Sequence, residues 1–399
     1  MKILNKIEYL VGKNINITKN SQKPYDDLVC RFVFDFSEYL NSLSAVNKYP
    51  DLKTLSFWCR KKNIKNLKDK FYKNNNILRV GVGLVFHITP SNIPTNFAYS
   101  LLFGLLNGNS NIIKVPSKPF PQIDIICNCL ENLLKKKKYL KIKKMIQVTR
   151  YSDNDTFTKT ISSICDARLI WGGNKSINDI RNFKLNERAL DIAFSDRFSL
   201  CVIDAKKLLK LDKYEIERLI ERFYNDTYLV DQNACSSPHL IIWLNDKSKK
   251  IRNIFWKILN TQILKKYKQP EIASIEKYNQ LCENILNLKN MKKYKIFNNL
   301  LYVITLGRLN EMTGNLRGKW GFFYEYECSS LNKIKNFINK DFQTLTYFGL
   351  SKNSLVKFVL QNNLKGIDRI VPIGQALDIN LNWDGYDLNK TLTRVVDIK

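Results

Sequence analysis

The segment Leu78–Ile88 (Leu-Arg-Val-Gly-Val-Gly-Leu-Val-Phe-His-Ile) constrains the fold most. It is a near-continuous apolar run of strand length. A strand with one wet face alternates polar and apolar residues, whereas a strand covered on both faces does not. A turn with two prolines follows, Thr89-Pro90-Ser91-Asn92-Ile93-Pro94, in which Pro94 and Thr95 suit the start of a helix. Asn96 to Leu106 has helical apolar density and ends in the C-cap signal Asn107-Gly108-Asn109. Asn111–Pro116 then reads as a second short strand. Strand, helix and strand in that order imply a parallel sheet with a right-handed crossover.

The pattern recurs along the chain. Residues 122–140 read as helix, Lys144–Thr149 as strand, Asp153–Ile164 as helix, and Ala167–Trp171 as a strand ending in Gly172-Gly173. Leu200–Asp204 is a further strand, with a charged helix from Ala205 to Asn225. A second alternating set has strands at 238–244, 300–306 and 343–349 and helices at 246–267 and 330–340. Residues 1 to about 75 read mainly as helices and loops, most periodic over Phe32–Leu40. The expected class is α/β, with two domains. Residues 1–199 hold the N-terminal helices and a first, parallel-sheet domain, 200–378 a second α/β domain, and 379–399 a tail suited to oligomer contacts.

Composition closes off several alternatives. Aromatics at 12% and hydrophobics at 44% argue against disorder. The longest near-apolar stretch, Phe97–Leu106, is far short of the roughly 20 residues that a bilayer core requires. Asn5, Lys6 and Glu8 interrupt the first apolar run, so no signal peptide is visible and a cytoplasmic protein is expected. Nine cysteines then read as reduced thiols. No cysteine pair has zinc spacing, and with two histidines, His87 and His239, no metal site is expected. The net charge of +29 invites a nucleic-acid reading. Its basic clusters, Lys135–Lys138 and Lys247, Lys249 and Lys250, are scattered and lack a stacking platform, so no nucleic-acid partner is expected. A positive surface equally attracts nucleotide cofactors and coenzyme A.

Two loops could carry chemistry. Gly81-Val82-Gly83 is no dinucleotide fingerprint, because Phe86 takes the third glycine position and the glycines precede their strand. The turn Thr89–Pro94 lies at the carboxyl end of a parallel strand, where open α/β sheets bind ligands, and Asn92 offers an uncharged amide donor there. The plain alternative is a tight turn. The second loop is Asp231-Gln232-Asn233-Ala234-Cys235-Ser236-Ser237-Pro238. Most cytosolic cysteines are inert small apolar residues, and the other eight here have apolar or helical neighbours. Cys235 sits in a polar, small-residue loop where backbone amides can approach a thiolate, which lowers a thiol pKa.

The order Pro90-Ser91-Asn92-Ile93-Pro94, Lys114, Gly172-Gly173, Cys235 resembles the aldehyde dehydrogenase superfamily. The closer resemblance is to the acyl-CoA reductases of the bacterial luminescence fatty acid reductase complex, the LuxC family. It is carried by His87–Pro94, Ala234–Pro238, Arg369–Gly374 and Trp383-Asp384-Gly385-Tyr386-Asp387, and spans roughly residues 75–395. It implies an aldehyde-dehydrogenase-like fold with a Rossmann-type nucleotide domain. It also implies NADPH-dependent reduction of long-chain acyl-CoA, or of an acyl-protein thioester, to fatty aldehyde. Cys235 would be the nucleophile, with Asn92 and the Cys235 backbone N–H as oxyanion donors. Thr89, Pro90, Ser91, Lys114, Ser117, Lys118, Gly172 and Gly173 would bind the cofactor. Lys118, where relatives that prefer NAD commonly place a glutamate, would favour the 2′-phosphate of NADPH. An acyl-protein synthetase partner and a homo-oligomer are further implications.

The departures are informative. Phe194 stands where oxidative relatives carry a glutamate base, and Gly318-Lys319-Trp320-Gly321-Phe322 replaces a Glu-x-Phe-Gly-Pro segment. A chain without a base to activate water is suited to reduction. The general acid/base is left unnamed; His239 is a candidate, with a strand-start side chain as the plain alternative. The alternatives are an aldehyde dehydrogenase running oxidatively and a non-catalytic basic scaffold or nucleic-acid-binding protein.

Overall fold

The structure is a computed structural model that describes residues 7–13, 16–19, 21–73, 77–152, 155–246 and 249–399, apart from the side chains at 311 and 312. Asn5, Lys6, the expected helix start Asp153, and Lys247 of the basic clusters lie outside the described residues. The chain forms two compact units, Met1–Ser195 with Tyr386–Lys399, and Asp196–Gly385. The stretch expected as a tail from 379 is therefore divided: residues up to Gly385 belong to the second unit and the rest to the first.

The first unit is built on Glu8–Val11 (β1), Arg79–Gly81 (β2), Leu84–Ile88 (β3), Ser110–Val115 (β4), Ile146–Arg150 (β5), Ala167–Trp171 (β6) and Leu190–Phe194 (β7). Its six-stranded sheet has the order β1-β5-β4-β3-β6-β7. All neighbours are parallel except β1, which pairs antiparallel with β5. The apolar run 78–88 is not one strand. It breaks at Gly83, whose φ of +133 suits glycine and where a Cβ would meet Asp166 Oδ2 at 2.3 Å. That carboxylate accepts the Leu84 N–H at 2.7 Å and so fixes the start of β3. β2, left outside the main sheet, pairs antiparallel with Thr393–Val395 near the C-terminus. The helix Asn96–Leu106 and strand β6 have the bounds the sequence predicts. The helix expected over 122–140 stops at Leu134.

His87, on β3, is wholly buried. Its Nε2 lies 3.0 Å from Asn111 Oδ1, and the Asn111 amide donates to Asn109 O, so the imidazole proton is on Nε2. Nδ1 then accepts from Ser100 Oγ at 2.7 Å, and Ser100 accepts from Trp171 Nε1 at 3.0 Å. This chain of bonds ties β3, β4 and β6 to the helix between β3 and β4.

The second unit carries Phe198–Asp204 (β8), Leu240–Leu244 (β9), Met291–Phe297 (β10), Leu301–Leu306 (β11), Phe322–Cys328 (β12), Phe342–Phe348 (β13) and Arg369–Pro372 (β14). Their order is β10-β11-β12-β9-β8-β13-β14, parallel except for β10. Residues of β8 and β9 alternate between two apolar layers. Leu200, Val202, Leu240 and Ile242 pack on one face, and Cys201, Ile203, Ile241 and Trp243 on the other. That is the double burial which the continuous apolar runs require. The helix expected over 205–225 is two, Ala205–Leu208 and Lys213–Thr227, because Asp212 and Glu215 form a capping box that starts the second one. The segment 331–337, expected as α-helix, is a 3-10 helix. No helix among the described residues is long and apolar enough to cross a membrane.

Burial holds His87 neutral, its pKa lowered from 6.5 to about 4. Between those values the unfolded chain binds a proton that the folded chain refuses, so stability rises with pH across that window and is complete above it. Acidification from pH 7 to pH 4 should cost on the order of 3 kcal/mol through this group. Urea unfolding at both pH values, with a His87→Gln variant showing a smaller loss, checks it.

Candidate active site

In the first sheet, β3 is followed by a crossover to β4 on one side, and β6 returns to its other side. The carboxyl ends of β3 and β6 therefore flank a topological switch point, the place where open α/β sheets take ligands. The turn Thr89–Pro94 and the expected cofactor residues lie along this edge. Thr89 directly follows β3, and its N–H and Oγ1 both donate to Lys114 O, at 3.1 and 2.9 Å. Pro90, Ser91 and Asn92 continue the turn, with Ser91 and Asn92 exposed. Lys114 is half-buried near the end of β4, its Nζ 5.1 Å from the Tyr151 ring centre. Ser117 and Lys118 are exposed in the next loop, with Lys118 Nζ 5.5 Å from the Phe120 ring.

Gly172 and Gly173 follow β6 and lead into the helix Asn174–Arg181, whose first turn receives no side-chain cap. A Cβ at Gly172 would meet nothing nearer than Ser176 Cβ at 3.7 Å, an ordinary contact. The chain's own packing does not require glycine there, and the space above the turn stays open. An open glycine turn, uncapped helix amides and two lysines on one sheet edge fit a nucleotide's phosphates and ribose. At the end of the neighbouring strand, Phe194 stacks on Trp171 with ring centres 3.7 Å apart and planes at 16°. Position 194 thus carries a ring of an aromatic pair and no carboxylate.

Cys235 belongs to the second unit, in the irregular loop before β9. That loop turns through two consecutive left-handed residues, Asp231 (φ 53) and Gln232 (φ 60). The buried Gln232 side chain holds it. Its Nε2 donates to Pro238 O at 3.1 Å and Phe322 O at 3.2 Å, and its Oε1 accepts the Gly321 and Phe322 N–H groups at 3.2 Å each. Ser199, on β8, donates to Cys235 O at 2.6 Å and accepts the Thr344 N–H at 3.1 Å. The cysteine backbone is thus tied to β8, β12 and β13.

Cys235 Sγ accepts a hydrogen bond from Gln343 Nε2 at 3.2 Å. The same Nε2 donates to Asp384 Oδ1. Arg197 stands behind that carboxylate, Nη1 to Oδ1 at 3.9 Å, and is itself held by Asp368 at 2.5 Å and Phe342 O at 2.7 Å. Asp384 (φ 49) and Gly385 (φ 78) are both left-handed, which the Asp-Gly pair tolerates. Sequence reading missed Gln343, Arg197, Ser199 and Gln232, and gave Asp384 no role. The one available signal was a glutamine inside an otherwise buried strand.

The expected depression of the Cys235 pKa is not found. Burial, with the Asp384 carboxylate next, pushes the thiol up to about 12, against the smaller opposing effects of Gln343 and Arg197. Cys235 is half-buried, and desolvation of its sulfur together with Asp384 outweighs the arginines nearby. His239 is no free acid/base either: it is buried, stacks against Phe198, and accepts the Gly318 N–H on Nδ1 at 3.1 Å. Burial, with Arg317 nearby, lowers its pKa to about 3.

The family model for acyl-CoA reductase (LuxC) matches residues 11–271, more than half of the chain. The chain belongs to the acyl-CoA reductase (LuxC) family. Curated proteins include no sequence match to it. Among solved structures, a salicylaldehyde dehydrogenase from Pseudomonas putida G7 is similar with a TM-score of 0.65 and 11% identity, over 93% of this chain and 84% of that one. An NAD-dependent benzaldehyde dehydrogenase from Corynebacterium glutamicum gives 0.59 and 10%, over 97% and 96%. Aldehyde dehydrogenase 21 from Physcomitrella patens gives 0.59 and 12%, over 92% and 83%. The fold is that of aldehyde dehydrogenases, and the family places the chain among oxidoreductases of acyl-CoA and aldehyde chemistry.

A thiol pushed this high is a thiolate only in trace amounts at neutral pH. In this LuxC-family chain, iodoacetamide should alkylate Cys235 roughly 10²-fold more slowly than free cysteine at pH 8. The rate should climb steadily from pH 7 to 10. Peptide-resolved mass spectrometry reads it, and a plateau near pH 8 would contradict the effect of burial.

Proposed function

We propose that this chain reduces a long-chain acyl-CoA, or an acyl-protein thioester, to fatty aldehyde with NADPH, through an acyl group carried on Cys235. The observation that carries the reading is the sulfur of Cys235 receiving an amide hydrogen bond, in a chain of the acyl-CoA reductase family.

A thioester carbonyl is a soft electrophile, and exchange of one thioester for another is close to isoenergetic. Cys235 Sγ forms a bond to the acyl carbon, the bond to the coenzyme A sulfur breaks, and the thiol proton ends on the departing coenzyme A. The tetrahedral intermediate carries an oxyanion, for which the Asn92 amide and the Cys235 backbone N–H are the donors of this proposal; a lost donor of this kind costs about 10²–10³ in rate. NADPH, when bound, supplies the hydride. The resulting thiohemiacetal loses its C–S bond, freeing the aldehyde and returning the sulfur, which takes a proton from solvent. Lys114 is assigned the adenosine ribose, Ser117 and Lys118 the 2′-phosphate, and Thr89, Pro90, Ser91, Gly172 and Gly173 the walls of the cofactor site.

Two features favour reduction over aldehyde oxidation. Position 194 is a phenyl ring stacked on Trp171, not a carboxylate, so the base that would activate water on the acyl-enzyme is missing there. The second glutamate-bearing segment is replaced by Gly318–Phe322, whose backbone is occupied with Gln232 and His239. An acyl-protein synthetase working beside the chain, a homo-oligomer and a cytoplasmic setting belong to the same reading.

Radioactive long-chain acyl-CoA should label the protein covalently, and NADPH should release the label as aldehyde. Cys235→Ala should abolish both; a retained covalent label would falsify the assignment. Lys118→Glu should raise KM for NADPH about tenfold or more, with little effect on NADH. Steady-state kinetics with both cofactors measures the difference, and an equal change for both would make Lys118 an ordinary surface lysine.

A further inference from the structure

The acyl-Cys235 chemistry leaves one question that the second unit answers: what holds charge on the sulfur when the thiolate forms. We infer that Gln343 is a catalytic residue, the donor that stabilises the Cys235 thiolate, and that Asp384, backed by Arg197, is the positioning residue that keeps its amide in the donating orientation. The inference rests on the acyl-Cys235 reading for its purpose and on geometry for its content.

Gln343 sits on β13 with its side chain buried. An amide group has two ends of similar shape, and only its nitrogen can donate. Here both ends are accounted for. Nε2 donates one N–H to Cys235 Sγ at 3.2 Å and the other to Asp384 Oδ1, while Oε1 accepts from Thr344 Oγ1 at 3.2 Å. Turned over, the amide would place its oxygen against the Asp384 carboxylate oxygen with no proton between them, and would offer a Cys235 thiolate no donor. Asp384 therefore excludes the wrong orientation. Arg197 in turn fixes Asp384, and is fixed by Asp368 and the Phe342 carbonyl.

The arrangement serves a sulfur that changes charge twice in a turnover. It gains negative character as it becomes nucleophilic, and again when the thiohemiacetal C–S bond breaks. In each case a pre-aimed N–H in a water-poor setting needs no reorganisation. The charged groups that bear on the sulfur come from four segments. They are Arg197 before β8, Arg317 before β12, Arg369 on β14, and Asp384. Three are cations and one is an anion, so the carboxylate opposes the charge that Gln343 stabilises. Its cost to the thiolate and its orienting of Gln343 act in opposite senses.

That opposition supplies the test. In the full-length protein, the rate of Cys235 alkylation by iodoacetamide at pH 9 is measured by peptide-resolved mass spectrometry. Gln343→Met, similar in length and without a donor, should slow alkylation about tenfold, one unit of thiol pKa. Asp384→Asn keeps an acceptor for Gln343 and removes the negative charge, so it should speed alkylation by a similar factor. A purely structural role predicts that both variants loosen the loop and expose the sulfur, which moves both rates up. An unchanged or faster Gln343→Met overturns the inference. If that variant does not fold, Gln343→Leu takes its place in the same measurement, and an unchanged or faster rate overturns the inference. The readout needs neither acyl-CoA nor NADPH. Opposite shifts in a protein that never takes up an acyl label would leave Gln343 standing and remove the reductase reading. Reduction without the shifts would do the reverse.

Discussion

Everything proposed for Cys235 depends on how an irregular loop is held still. Residues 231–238 have no ladder of their own, so their backbone groups need partners from elsewhere. The Gln232 amide makes four bonds at once, one to the Pro238 carbonyl and three to the backbone of Gly321 and Phe322, and Ser199 supplies the tie from the Cys235 carbonyl to β13. A buried amide with every site used is a strong constraint, because any displacement leaves polar atoms unpaired where water cannot replace them. Two adjacent left-handed residues, Asp231 and Gln232, store strain that such bonds offset.

The same reasoning explains which parts of the fold could be read in advance. Strands buried on both faces announce themselves as apolar runs, and β6, β9, β11 and β13 fall close to where the runs put them. Edge strands do not. β10, Met-Lys-Lys-Tyr-Lys-Ile-Phe, interleaves lysines with apolar residues, as an edge strand with an exposed side is free to do. β1 is four residues long, too short for a period to register. The split at Gly83 was hidden for another reason: the carboxylate that enforces it, Asp166, is 82 residues away from the Leu84 amide it holds.

Site residues divide the same way. Thr89 and Gly172 directly follow β3 and β6 and Lys114 stands near the end of β4, all at one sheet edge, so local order along the chain maps onto position in space, and the resemblance could be followed motif by motif. Gln343 and Asp384 are separated from one another by 41 residues and Gln343 from Cys235 by 108, and nothing local marks them as partners. Arg369–Gly374 shows the converse. It was conspicuous in sequence, and the hydrogen bonds it makes are local: the Arg369 guanidinium donates to the carbonyls of Gln375, Ala376 and Asp378, and Asp226 accepts the Gly374 and Ala376 N–H groups.

The raised thiol is less paradoxical for a reductase than for a hydrolase. A low-pKa thiolate is abundant and a good leaving group, but each thiolate is a weaker nucleophile. A high-pKa sulfur is scarce as thiolate and strongly nucleophilic when it forms, and its acyl ester resists loss to stray nucleophiles. Cys235 is half-buried, and in the proposed acyl-enzyme the burial that raises the thiol would also limit the approach of bulk water. For an acyl-enzyme that must wait for hydride, that protection matters more than speed of acylation. The cost is that thiolate must be stabilised locally at the moment it appears, and the Gln343 amide is the group in contact with the sulfur that can do so. Burial and the amide are therefore two halves of one requirement.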